Sequence, residues 1–76
     1  MNIEKIKNQL AKDNKVVFKL YSLEYTIEII NNNIQIYPLT YPTDIKIYNT
    51  LEELLNNFRV YNETLLEVEE RIFIYE

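Results

Sequence analysis

The chain has 76 residues, a formal net charge of −4, and no His, Cys, Gly or Trp. Without imidazole or thiol it lacks the usual proton shuttle near neutral pH, the nitrogen and sulfur ligands of zinc, and any disulfide or cysteine nucleophile. Without glycine it also lacks the dinucleotide fingerprint and the phosphate-cradling loop, both of which depend on glycine backbone geometry.

The length fits one small domain over residues 1–76, and 47% hydrophobic residues suffice for one compact core. No apolar run approaches the roughly 20 residues that cross a bilayer, so no membrane partner is expected. The start, Met1-Asn2-Ile3-Glu4-Lys5, lacks the basic-then-apolar order of a signal peptide. With no cysteine to oxidise, the expected compartment is the cytoplasm. Charge is unevenly placed. Lys5, Lys7, Lys12, Lys15 and Lys19 face only Glu4 and Asp13 at the start, whereas residues 51–76 carry seven glutamates against Arg59 and Arg71. The acidic balance argues against a phosphate-binding surface.

In chain order, Ile3, Ile6, Leu10 and Ala11 share a stripe that predicts an amphipathic helix over 2–13. Val16 to Tyr21 reads as a strand with Val16, Phe18 and Leu20 inward and Val17, Lys19 and Tyr21 outward. Ser22-Leu23-Glu24 is the expected turn. A second strand follows with Tyr25, Ile27 and Ile29 inward and Thr26 and Glu28 outward. Asn31-Asn32-Asn33 marks a tight hairpin, asparagine being the best substitute for glycine at positive φ. A third strand runs from Ile34 to Tyr37, with Ile34 and Ile36 inward. Pro38 and Pro42 bracket a loop, and Asp44 to Tyr48 alternates as a short fourth strand.

Thr50-Leu51-Glu52-Glu53 is a capping box that opens a helix burying Leu51, Leu54, Leu55 and Phe58. Asn62 is then read as the cap of a last helix burying Leu65, Val68 and Ile72. Residues 72–76 fit either a helix tail or an edge strand. The expected fold is α+β: a helix, an antiparallel meander of three or four strands, and two C-terminal helices packed on one sheet face.

No catalytic, cofactor-binding or metal-binding set emerges. The adjacent pairs Glu52-Glu53 and Glu69-Glu70 diverge by about 100° on a helix and cannot face each other across a cleft. Ser22 is the only serine and has no histidine to activate it. The expectation is a non-enzyme. Partner binding has two candidate surfaces. On the sheet face opposite the helices, Tyr21, Tyr37 and Tyr48 would stand among Lys19 and Lys46, a composition suited to a protein interface or to stacked RNA bases. On the last helix, Glu63, Glu67 and Glu70 at i, i+4, i+7 would form an acidic stripe fitted to a basic partner surface. Homo-oligomerisation stays open.

A short helix opening Met1-Asn2-Ile3, a β-meander from Val16 to Tyr48 and acidic C-terminal helices together resemble small phage-encoded proteins of low-GC bacteria. These include acidic anti-CRISPR inhibitors that act as nucleic-acid mimics. The resemblance implies that the glutamates of the last helix would be the mimic surface. The reading that results is a protein-interaction or regulatory accessory domain, with an acidic inhibitor or nucleic-acid mimic as the alternative and a β-sheet single-stranded RNA binder as the third.

Overall fold

The computed structural model describes residues 2–75. The first element is α1 (Asn2–Asp13), with Glu4 in its first turn and Lys12 in its last, each favourably placed in the helix dipole. Ile3, Ile6 and Leu10 are buried as expected, but Ala11 is exposed. Asn14 stops the helix by entering the left-handed region (φ 59°) while its amide donates to the Leu10 carbonyl at 2.8 Å.

Three strands follow as a meander: β1 (Lys15–Leu20), β2 (Leu23–Ile30) and β3 (Asn33–Pro38), then a loop and the short β4 (Lys46–Tyr48). Each joins its predecessor antiparallel, and with β7 (Phe73–Tyr75) from the end of the chain the five-stranded sheet has the order β4-β3-β2-β1-β7. Both tight turns have positive φ at their two central residues: Asn31 (51°) with Asn32 (67°), and Tyr21 (53°) with Ser22 (68°). That is the backbone whose twist matches paired strands. The first reversal therefore falls one residue earlier than Ser22-Leu23-Glu24, and Leu23 already belongs to β2.

The helix α2 (Leu51–Asn57) starts at Thr50, whose hydroxyl accepts from the Glu53 amide at 3.1 Å. The Glu53 carboxylate reaches back to the Asn49 amide at 3.3 Å, one residue beyond the usual reciprocal partner. Leu54, Leu55 and Phe58 are buried and Leu51 is partly so.

The segment after Phe58 departs from expectation. No α-helix forms over 63–72. Instead β5 (Arg59–Val60) and β6 (Glu63–Thr64) make a small separate hairpin. Asn62 is not a helix cap but the second residue of its turn, with φ 68° after Tyr61 at 50°. Turns and a single 3-10 turn (Glu69–Arg71) lead to β7 (Phe73–Tyr75), which pairs antiparallel with β1. Three local forces beat the helix. The Thr64 amide and hydroxyl donate to Glu67 Oε1 at 2.9 and 3.0 Å and close a turn. A helical stripe of Glu63, Glu67 and Glu70 would set like charges a turn apart. A strand at 73–75 satisfies the backbone of β1 that would otherwise stay unpaired.

Leu65, Val68 and Ile72 are buried nonetheless, because successive turns keep them pointing at the same core. That core lies on one side of the sheet. It joins Phe18, Ile27, Ile36 and Ile74 from the strands with Ile6 and Leu10 of α1 and Leu54 and Leu55 of α2. Tyr25 stacks on Phe18 with centroids 5.5 Å apart and meets Phe58 edge-on at the same distance.

Ser22 holds a left-handed backbone without the local compensation asparagine provides. Ser22→Gly is expected to stabilise the fold by about 0.5–1 kcal/mol, a rise of several degrees in the thermal midpoint by circular dichroism.

Candidate functional site

Because both helices and the β5–β6 hairpin contribute to the single core, the other face of the sheet is left open. Register determines what stands on it. Across the strands one row reads Tyr37, Thr26, Val17, Tyr75, and the next includes Glu24, Lys19 and Phe73. Ile47 joins beside Gln35. Ile47 is 64% exposed and Phe73 62%. The Phe73 and Tyr75 rings meet edge-to-face, centroids 5.4 Å apart.

The tyrosines of this face reach diagonally for carboxylates. Tyr37 donates to Glu28 Oε1 at 3.1 Å, and Gln35 Nε2 donates to the same oxygen at 3.4 Å. Burial, then that bond, holds the Tyr37 phenol above its ordinary pKa. Hydrogen bonding to Glu24 does the same for Tyr75. Thr26, expected to face solvent, is fully buried between these neighbours, and its hydroxyl has no hydrogen-bond partner.

Tyr21 does not project from the open face. Its left-handed backbone turns it to the end of the sheet, where its hydroxyl donates to Glu63 Oε1 at 3.0 Å and accepts from Arg71 Nη1 at 2.8 Å. Its ring lies 5.7 Å from that of Tyr61. Lys19, Tyr21, Ser22, Arg71, Phe73 and Tyr75 together line a hollow of about 360 Å³. Two cations beside three aromatic rings can hold an apolar group next to a carboxylate.

Tyr48 and Lys46 belong to the opposite side. Tyr48 pairs with buried Ile34 and packs on the core, where burial and then the charge of Glu53 hold its phenol above its ordinary pKa. Lys46 pairs with buried Ile36. The loop between Pro38 and β4 resets the alternation, and a shift of one residue exchanges the two faces. Of the tyrosine and lysine set, the structure therefore brings together Lys19 and Tyr37 on the open face, with Tyr21 at its end.

Glu63, Glu67 and Glu70 share no helical face. Glu63 is engaged by Tyr21, and Glu67 by Thr64, with Arg59 Nη1 3.9 Å away. Glu70 is exposed. With Glu69, all three still line one shallow hollow beside Leu66. Sequence reasoning missed Phe73, Tyr75, Ile47 and Arg71. A three-residue strand shows too little alternation to signal itself. Among the described residues no three carboxylates converge as a metal site, and no helix is long and apolar enough to cross a membrane. No known protein family, curated protein or solved structure matches the chain.

Two outcomes follow from this geometry. Thr26→Val removes an unpartnered buried hydroxyl and should stabilise the domain by about 1 kcal/mol, read as a higher thermal midpoint. The bonds from the Thr64 backbone amide and then its hydroxyl hold the Glu67 pKa below the ordinary 4.5. A depressed folded-state pKa gives stability that is present above the unfolded value and lost as pH falls through the folded one. Thermal midpoints measured from pH 6 downward should therefore fall less steeply below about 4.5 in Glu67→Gln than in the unaltered chain.

Proposed function

We propose that the chain is a small non-enzymatic interaction domain, an accessory or regulatory factor of the cytoplasm that meets a protein partner with the open face of its sheet. The observation that carries this reading is the outward placement of Phe73 and Tyr75 side by side on β7, with Ile47 at the opposite edge, on a sheet face that neither helix covers. Exposed apolar groups gathered on one surface mark interaction sites. Aromatic side chains beside arginine are the composition of binding hot spots, and the hollow between Lys19, Arg71 and Phe73 has it. It suits a partner segment that combines an apolar side chain with a carboxylate.

An acidic inhibitor or nucleic-acid mimic from a phage or mobile element is the second reading. Its support is the crowding of Glu63, Glu67, Glu69 and Glu70 around one hollow. Single-stranded RNA is the third, supported by the same aromatic rings. Glu24 stands across from Lys19 and Glu28 across from Lys15 on that face, and both favour a protein over a phosphate backbone.

The test is affinity capture from the native host with the unaltered chain and with Ile47→Asp plus Lys19→Glu, both changes at exposed positions. The double variant should keep its thermal midpoint within a few degrees and retain the partner at least tenfold more weakly, about 1.4 kcal/mol. Retention that disappears on nuclease treatment would move the reading to RNA. Retention that survives the double variant but is lost on reversing Glu63, Glu67 and Glu70 to lysine, and that DNA displaces, would move it to mimicry.

A further inference from the structure

The stripe of α1 and the alternation of β2 assign Ala11 and Ile29 to the core side of the fold, yet neither is buried. Ala11 is exposed, and Ile29 is 39% exposed although it stands across from buried Ile34. Leu51, the first residue of α2, is only partly covered. All three border one hollow of about 310 Å³, which buried Leu10 and Ile34 also line. At this corner the helical layer stops short, with α1 on one side, the start of α2 on the other and the β2–β3 turn at the end. We propose that the hollow binds a medium-chain carboxylate, with the alkyl chain laid on these apolar side chains and the head group on Lys7.

The walls are fixed by bonds of the fold itself. The Ile29 amide donates to the Asn14 carbonyl at 2.9 Å and ties β2 to the end of α1. Ile29 with Ile34 and Ile30 with Asn33 close the β2–β3 hairpin. The Thr50 hydroxyl, accepting from the Glu53 amide at 3.1 Å, sets where α2 begins. Small-molecule sites are concave, mostly apolar and largely pre-formed, with a few polar groups and volumes from about 300 Å³ upward. A hollow at the low end of that range suits a single alkyl chain.

Charge specifies the head group. Lys7 is the one ionisable side chain that lines the hollow; the polar remainder is amide and hydroxyl, from Asn32, Asn33, Asn49 and Thr50. It stands one turn before Ala11 on the same face of α1, and no ion pair among the described residues engages it. Its stem can lie along apolar surface while the ammonium stays at the mouth. Of the four carboxylates on the two helices, Asp13 accepts from Gln9 and Glu53 from the Asn49 amide, and none of the four lines the hollow. One ammonium balances one negative charge, which a carboxylate carries, whereas a phosphate group carries about −1.5 to −2.

The experiment is a titration of the isotope-labelled chain with decanoate, below its micelle concentration, followed by amide chemical shifts and calorimetry. One-site saturation is expected, with the shift changes concentrated at residues 7–11, 29–34 and 49–51. Lys7→Gln removes the charge and Ala11→Phe fills the hollow; both positions are exposed, and each change should weaken binding at least tenfold. Lys12→Gln, on the same helix but outside the lining, should leave it unaltered. Decyltrimethylammonium should bind at least tenfold more weakly than decanoate. The amide spectrum of each variant shows whether the sheet is intact, so lost binding is read apart from lost folding. Absence of saturation would overturn the proposal. So would equal affinity for the two amphiphiles, indifference to Ala11→Phe, or shift changes centred on Lys19, Tyr37 and Phe73 of the open face.

Discussion

The constraint on which this structure depends is the reversal of a glycine-free chain. Three two-residue turns carry the hairpins, and all six of their central residues have positive φ: Tyr21 and Ser22, Asn31 and Asn32, Tyr61 and Asn62. A left-handed conformation costs roughly 1–2 kcal/mol for an ordinary L-residue, less for asparagine. Summed over the turns, that approaches the whole net stability of a domain this size, on the order of 4–11 kcal/mol. The turns hold because paired strands on both sides determine them. At two of the three reversals, tyrosines add side-chain contacts. Tyr21 and Tyr61 lie ring to ring, and the Tyr21 hydroxyl links Glu63 to Arg71.

The second dependence is the return of the chain to its first strand. β1 is flanked by β2 and β7, and its Phe18 and Leu20 are wholly buried. With no β7, β1 would be an edge strand beneath α1, and Ile74 would be missing from the core. The contact is made at both ends of the chain, since Glu69 anchors the first turn of α1 while the residues after it pair with β1. Among the described residues no further strand pairs with the outer side of β7.

How much of this could be read in the residues depends on how long each pattern runs. The stripe of Ile3, Ile6 and Leu10, the alternation through Val16–Leu20, the asparagine turn and the Thr50 cap are each specified by several agreeing positions, and each is found in the fold. The last third is different. Leu65, Val68 and Ile72 have helical spacing and are indeed core, yet consecutive turns produce the same burial without a helix. Spacing identified the buried residues and misidentified the backbone beneath them. The open face was partly legible for the same reason. Lys19 and Tyr37 lie on uninterrupted alternation, whereas Tyr48 follows a loop that changes its parity. Phe73 and Tyr75 acquire their position only from long-range pairing with β1.

Net charge would suggest a surface that welcomes basic partners and repels acidic ones. Local geometry modifies that expectation on the open face. Tyr37 and Gln35 bond Glu28, and at the sheet end Tyr21 bonds Glu63. Both carboxylates have hydrogen bonds already directed at them, from β3 for Glu28 and from the β1–β2 turn for Glu63. Lys19, by contrast, stands on β1 beside the edge strand β7, and the one ion pair among the described residues is Arg59 with Glu67. Ammonium and guanidinium donors beside Phe73 therefore remain able to bond an incoming group. An acidic chain can thus present a face whose free hydrogen-bonding capacity is cationic and whose area is aromatic. The distinction between carrying negative charge and having it available to a partner supports the proposal that a partner meets this face rather than the glutamates of residues 63–70.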